Sequence, residues 1–253
     1  ASHTALVGIR STMGLTSRDG IVPLFLDHDV GGPMARSVAD AAAVLQVIAG
    51  FDPADPVTAA ARAHPVPDYL RHLDPRGLQG ARLGVVRQVS NRPAADDEVL
   101  QRFQQALDAL RRAGATVIDP ITLPVYDTIA PGAYWCPRFK YDLENYLKSL
   151  GPEAPVHSLA EILESGQFHP SIRGQLQFFA QFSGPLENYR NFRQAQAHRQ
   201  RLQNAIGDLM RQQRLDALVY PTWSNPPRRI GDLASPHGDN SQILSPQTGF
   251  PAI

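Results

Sequence analysis

The chain has 253 residues, 24 Lys and Arg against 24 Asp and Glu, and 43% hydrophobic residues, the profile of a globular chain with a sizeable core and one or two domains. A formal net charge of zero argues against a nucleic-acid surface built on excess cations. The single cysteine, Cys136, excludes an internal disulfide and a cysteine-rich metal site and fits a reducing, cytoplasmic compartment.

No run approaches the roughly 18 apolar residues that a membrane-spanning helix needs, so no membrane association is expected. The N-terminus carries no positively charged start ahead of an apolar core. The opening at Ala1 without a methionine and the apolar ending at Ile253 are read as cuts at both ends.

Residues 1–36 alternate short apolar runs with Gly8, Gly14, Gly20, Gly31 and Gly32, which predicts strands and tight loops. Ser37 is a good N-cap with Asp40 three residues on, and Val38, Ala41, Ala42, Leu45 and Ile48 share a face, so a helix is expected over 37–49, ending at Gly50. Residues 51–80 hold five prolines and little periodicity, which suits a surface connection with a short helix around Pro67–His72.

The next unit is the clearest. Residues 81–87 read as a strand, 96–113 as a helix with Val99, Phe103, Leu107 and Leu110 inward, and 115–118 as a second strand. That βαβ pattern predicts two parallel strands with a right-handed crossover and hence an α/β sheet. Residues 128–213 are mostly helical, with periodic stretches over Tyr141–Leu150 and Tyr189–Met210; Leu215–Tyr220 reads as a strand stopped by Pro221, and the last thirty residues are loop-rich.

The familiar hydrolase motifs are missing: no Gly-x-Ser-x-Gly, no His-Glu-x-x-His, no phosphate-binding glycine loop. Asp27-His28-Asp29 looks like a metal cluster, but adjacent residues of an extended chain face opposite sides, so loop or capping roles are expected and no metal site is assigned. Cys136 is read as a small buried hydrophobe, and the arginines of 190–214 as a solvated helix face. All but two of the 24 basic residues are arginine, the exceptions being Lys140 and Lys148. Neither has a Ser-x-x-Lys neighbour, so a catalytic lysine inside the chain is not expected.

Three separated blocks carry a resemblance. The first runs from Ala5 to Gly20, with Gly8, Thr12, Gly14, Ser17 and Gly20 in place; the second is Gly32-Pro-Met-Ala-Arg-Ser-Val-Ala-Asp40; the third pairs Asp216-Ala-Leu-Val-Tyr-Pro-Thr222 with Thr248-Gly-Phe-Pro-Ala-Ile253. Together they resemble the amidase signature family across essentially the whole chain. Two departures are Arg10 and Ser11, where the family usually has Lys and Pro.

The resemblance implies an α/β fold in which a mixed sheet is covered by helices, incomplete here because both ends are cut. The whole chain is then part of one domain, with 1–125 supplying the sheet and βαβ core, 126–213 a helical layer over the substrate, and 214–253 the return to sheet and loops. It implies hydrolysis of a small linear amide to a carboxylate plus ammonia or amine, without a cofactor. The serine nucleophile, a second serine held by a cis peptide bond and a lysine would all lie upstream, the nucleophile about five residues before Ala1, so the chain alone is expected to be inactive.

The substrate side would remain here. In the tRNA-dependent glutamine amidotransferase branch an aspartate and an arginine hold the substrate amino acid; Asp239 stands at the aspartate's spacing and Arg173 is a looser match. Pro246 replaces that branch's asparagine, and both residues also admit plain structural roles, Asp239 as a turn cap with Asn240 and Ser241 and Arg173 as a surface ion pair. The stretch Tyr134–Phe139 with Phe178-Phe179 suggests a partly aromatic acyl pocket. Two alternatives stay open: an amidotransferase subunit that passes ammonia to a partner, and a non-catalytic amidase-like binding module.

Overall fold

The computed structural model describes residues 1–124, 126 and 137–253, and its contacts divide the chain into two compact units. The first unit comprises Ala1–Ser17, Val30–Thr128 and Arg201–Ile253. Its sheet is the expected βαβ. Strand β3 (Arg82–Val85) pairs in parallel with β4 (Thr116–Ile118), Leu83 opposite Val117, and on its other side with β5 (Ala217–Val219), Gly84 opposite Leu218. The order β4-β3-β5 puts β3 in the centre, as its run of buried residues requires.

The crossover is α3 (Asp97–Arg112), opened by Asp96, whose carboxylate accepts from the N–H groups of Glu98 and Val99. Of its four expected inward residues only Leu107 is fully buried, while Val99, Phe103 and Leu110 are half-buried. Directly after β3 comes the one-turn helix α2 (Arg87–Ser90). Its Arg87 guanidinium grips the Asp119 carboxylate through two bonds, Nε–Oδ1 2.9 Å and Nη2–Oδ2 2.6 Å. This fork joins the residues that follow β3 and β4. It holds the Asp119 carboxyl below its ordinary range, chiefly through the hydrogen bond from Arg87.

The signature blocks build a second, two-stranded sheet in the same unit: β1 (Val7–Gly8) runs antiparallel to β2 (Met34–Ala35). Ser37 caps α1 (Val38–Ile48) by accepting from the Asp40 N–H at 3.1 Å, as its sequence predicts. The expected apolar face is only partly correct. Ala41, Ala42 and Leu45 are buried, but Val38 and Ile48 are exposed because the contact surface is narrower than the apolar stripe. The connection over 51–80 contains two 3-10 segments, Pro56–Arg62 and Tyr69–His72.

The second unit comprises Arg18–Asp29 and Ile129–Gln200. Its described helices are α4 (Arg138–Ser149), α5 (Leu159–Ser165), α6 (Arg173–Ala180) and the first part of α7 (Arg190–Gln213). Leu143, Leu147, Leu159, Leu176 and Phe179 form its buried core, with Phe25 and Phe139 packed against it. Phe139 and Phe179 therefore belong to this core, and Phe178 stacks edge-on against Phe179 and Phe182. Tyr134, Trp135 and Cys136, the rest of the expected aromatic pocket, lie outside the described residues.

The excursion Arg18–Asp29 is fastened to these helices by a charge cluster. Arg138 reaches Asp142 through Nε at 2.7 Å and Asp27 at 3.6 Å, Arg199 reaches Asp27 at 3.3 Å, and the Asp142 carboxylate accepts from the Leu26 N–H at 2.8 Å. Arg199 corrects the solvated reading of its helix face: its side chain is 17% exposed. Asp29 behaves as expected, its carboxylate accepting from the N–H groups of Leu24 and Phe25. Among the described residues no group of His, Cys, Asp and Glu could hold a metal ion. No described helix is long and apolar enough to cross a membrane.

Candidate substrate site

The site grows from the two ends of the first unit. The Ser11 and Thr16 hydroxyls, both buried, lie 2.8 Å apart and within reach of the Gly31 carbonyl oxygen at 3.1 and 2.8 Å. This explains how Ser11 replaces the family's proline: a side-chain hydrogen bond fixes the turn in place of a rigid ring. Gly14, at φ +83°, has no room for a side chain, since a Cβ would stand 2.4 Å from the Val57 carbonyl oxygen. Two backbone contacts then bind this segment to the end of the chain, Arg10 pairing with Ala252 and the Met13 N–H donating to the Gly249 carbonyl at 3.0 Å.

Beyond β5 the chain makes the loop Pro221–Ser224, and a second loop returns beside it. Trp223 pairs antiparallel with Asp239. The Ser224 N–H donates to the Gly238 carbonyl at 2.7 Å, and the Asn240 N–H to the Thr222 carbonyl at 3.0 Å. Gly238 permits this at φ +59°, where a Cβ would stand 2.8 Å from that of Ser224. Asn240, fully buried, locks the pair by donating through Nδ2 to the Pro221 carbonyl and the Ser224 hydroxyl, each at 2.9 Å.

Asp239 is half-buried at the rim of this lock. Its Oδ1 accepts from the N–H and the hydroxyl of Ser241 at 2.9 and 2.6 Å. The turn-capping role is therefore real, and it occupies one carboxylate oxygen; Oδ2 has no donor among the described residues. The Trp223 indole lies against the His3 ring, tilted by 33° with centroids 4.4 Å apart, and meets His237 edge-on at 5.8 Å. Close behind, burial pushes the Tyr220 phenol up to about 12, so it stays protonated.

Arg173 lies in the other unit, at the start of α6, exposed, with its guanidinium over the Phe168 ring at 4.8 Å from the centroid. Its partner is thus an aromatic ring in place of the expected surface carboxylate. Lys140 pairs with Glu144 at 2.7 Å on α4, a helix-surface pair of the i,i+4 type. Lys148 lines an open cleft of about 500 Å³ with Glu144, Asn145, Gly151, Pro152 and His157.

The family model "Amidase" matches residues 1–251. The chain belongs to the amidase family. A protein named "Probable amidase" from Arabidopsis thaliana is 37% identical over 170 residues, covering 64% of this chain and 31% of its own length. A glutamyl-tRNA(Gln) amidotransferase subunit from Rubrobacter xylanophilus is 32% identical over 270 residues, covering 100% of this chain and 53% of its own length. Among solved structures, the native peptide amidase of Stenotrophomonas maltophilia superposes with a TM-score of 0.77 at 33% identity, over 99% of this chain and 51% of that one. The amidase-family chain thus spans about half the length, or less, of these relatives.

Sequence reasoning singles out Asp239 through the family blocks and reads Asn240 only as its turn partner, but misses Trp223, His3 and His237. Trp223 directly follows the Tyr-Pro-Thr run, and a bulky side chain at a loop mouth is the one signal that could have marked it. The histidines meet it only in three dimensions.

Proposed function

We propose that this chain supplies the substrate side of an amide hydrolase that cleaves a linear amide to a carboxylate and ammonia or an amine. The observation that carries the reading is the contact of His3 with Trp223. It sets the first residues of the chain beside Asp239 and its loop, and the family pattern puts the nucleophilic serine about five residues before Ala1. A substrate carbonyl at the nucleophile would then have its neighbouring groups against the Pro221–Ser224 and Gly238–Ser241 loops.

In this reading the serine oxygen adds to the carbonyl carbon, and its proton passes through the bridging serine to a neutral lysine. The amine leaves with a proton, and water releases the acyl group as a carboxylate. Backbone N–H groups hold the oxyanion. Those three catalytic residues lie outside the 253, no cofactor is required, and the compartment is the cytoplasm. Asp239 anchors a donor group of the substrate through Oδ2.

The Rubrobacter relative favours one competing reading, an amidotransferase subunit that delivers ammonia to a partner. The deciding experiment measures ammonia release from a small amide by a polypeptide extended upstream through the serines and lysine. Free ammonia without any partner supports the hydrolase; release only when a partner protein and acceptor are added supports the amidotransferase.

A further inference from the structure

The two lysines of the chain both stand on α4, about two turns apart. Lys140 is committed to Glu144 at 2.7 Å. Lys148 has no carboxylate partner and no side-chain hydrogen bond among the described residues, and it lines the open cleft of about 500 Å³ at this end of the helix. That volume falls within the range of small-molecule sites, about 300–1,000 Å³. Asn145 and His157 line the same cleft, and their side chains likewise hold no partner among the described residues.

The carboxylates beside them are already engaged. Glu144, also in the lining, gives Oε2 to Lys140 and Oε1 to the Leu159 N–H at 3.2 Å. Glu161 accepts from the His157 N–H at 2.8 Å and from the Ser158 hydroxyl at 3.1 Å. These bonds tie α4 to the start of α5, and Leu147 and Leu159 anchor both helices in the core of this unit. The carbonyls of Leu147 and Lys148, which would oppose an anion at this end of α4, accept from the Leu150 and Gly151 N–H groups. Gly151 turns the chain at φ +81°, and no atom stands within 4 Å of where its Cβ would be, so the mouth stays open there.

The lining therefore offers one cation whose charge no described residue balances, flanked by an amide and an imidazole that can each donate a hydrogen bond. Such a lining selects an anion, through charge-assisted hydrogen bonds. One cation matches one negative charge, which favours a carboxylate over a phosphate, whose second charge would stay uncompensated. Pro152 adds an apolar wall for the organic body of the ligand. A lysine in the last turn also suits the negative end of a helix, but that role accounts for neither Asn145 nor His157.

We infer that this cleft binds a small organic carboxylate, with Lys148 as the counter-ion and Asn145 and His157 as hydrogen-bond donors. The inference stands on the helical unit alone and does not depend on the amide-hydrolase reading.

Calorimetry and NMR on the 253-residue chain at fixed ionic strength test this with benzoate as the anionic probe, benzyl alcohol as its neutral twin and inorganic phosphate as the competing anion. Benzoate is expected to bind at least about tenfold more tightly than either of the others. Lys148→Gln weakens benzoate binding about five- to thirtyfold and Asn145→Ala about threefold, while Lys148→Arg retains most of it. The His157 ring resonances, assigned through His157→Gln, shift with benzoate in the unmutated chain and stay in place with benzyl alcohol, which keeps the test decisive if a variant fails to fold. Equal affinity for benzoate and benzyl alcohol, unmoved His157 resonances, or benzoate binding that survives Lys148→Gln overturns the site; phosphate binding as tightly as benzoate overturns its assignment to a carboxylate.

Discussion

Asp27 and Arg199 stand 172 positions apart in the chain, and their side chains meet at 3.3 Å. Both are largely sheltered from water, 23% and 17% exposed. The pair joins the segment between two signature blocks to the long helix α7, with Arg138 and Asp142 completing the cluster. Arg199→Met would leave Asp27 with the longer contact to Arg138 at 3.6 Å and the neighbouring His28 ring at 3.4 Å. After discounting for solvent screening, we expect a loss of about 2 kcal/mol in the second unit. Hydrogen exchange should show faster opening at Leu26, whose N–H is bonded to Asp142, and no change in β3.

The acid response of the two units should differ in sign. Asp119 is held below its ordinary range by Arg87. Its contribution is therefore complete above the unfolded value, about 3.9, and is lost as pH falls through the lower folded value. Asp142 is raised, mainly by burial, against the opposing effects of the Leu26 N–H and Arg138. Its contribution is present at low pH and fades as pH rises through the raised value. Unfolding followed separately in β3 and α4 between pH 3 and 7 should show the β3 region losing stability below about pH 4. Asp119→Asn should flatten that slope, and Asp142→Asn should remove the opposite one.

Gly14→Ala tests the signature turn. At φ +83°, with a carbonyl oxygen 2.4 Å from the site of a Cβ, the alanine should destabilise the first unit by about 1–3 kcal/mol. A thermal midpoint equal to that of the unmutated chain would contradict this account of the turn.

Asn240→Ala removes the donor that serves the Pro221 carbonyl and the Ser224 hydroxyl. Those acceptors would be stranded in the interior at a cost of about 1–3 kcal/mol. A thermal midpoint of the first unit equal to that of the unmutated chain would show that the two loops hold their places without Asn240.

The parts of the fold legible in the sequence are those set by local rules. Ser37 and Asp96 announce α1 and α3 because capping is read within three residues, and the alternation of strand, helix and strand over 81–118 leads to the parallel pairing of β3 and β4. The central place of β3 depends on β5, whose Ala217 pairs with Leu83 from well over a hundred residues further along, and no local pattern encodes it. Asp27 reads locally as a loop residue because its partners, Arg138 and Arg199, lie on helices remote in sequence. Asp239 is visible through the family blocks, whereas Trp223, His3 and His237 form a cluster only after two loops and the first residues of the chain come together.

The central claim is that these residues hold the substrate while catalysis comes from serines and a lysine upstream. The most direct measurement is ammonia release from a small linear amide by two purified polypeptides, the 253-residue chain and one extended upstream through those residues. We expect no release above background from the shorter chain, and from the longer one turnover that falls by about 10³-fold or more when its nucleophilic serine is replaced by alanine. Hydrolysis by the 253-residue chain itself, or turnover in the longer chain that survives the serine replacement, would contradict the account.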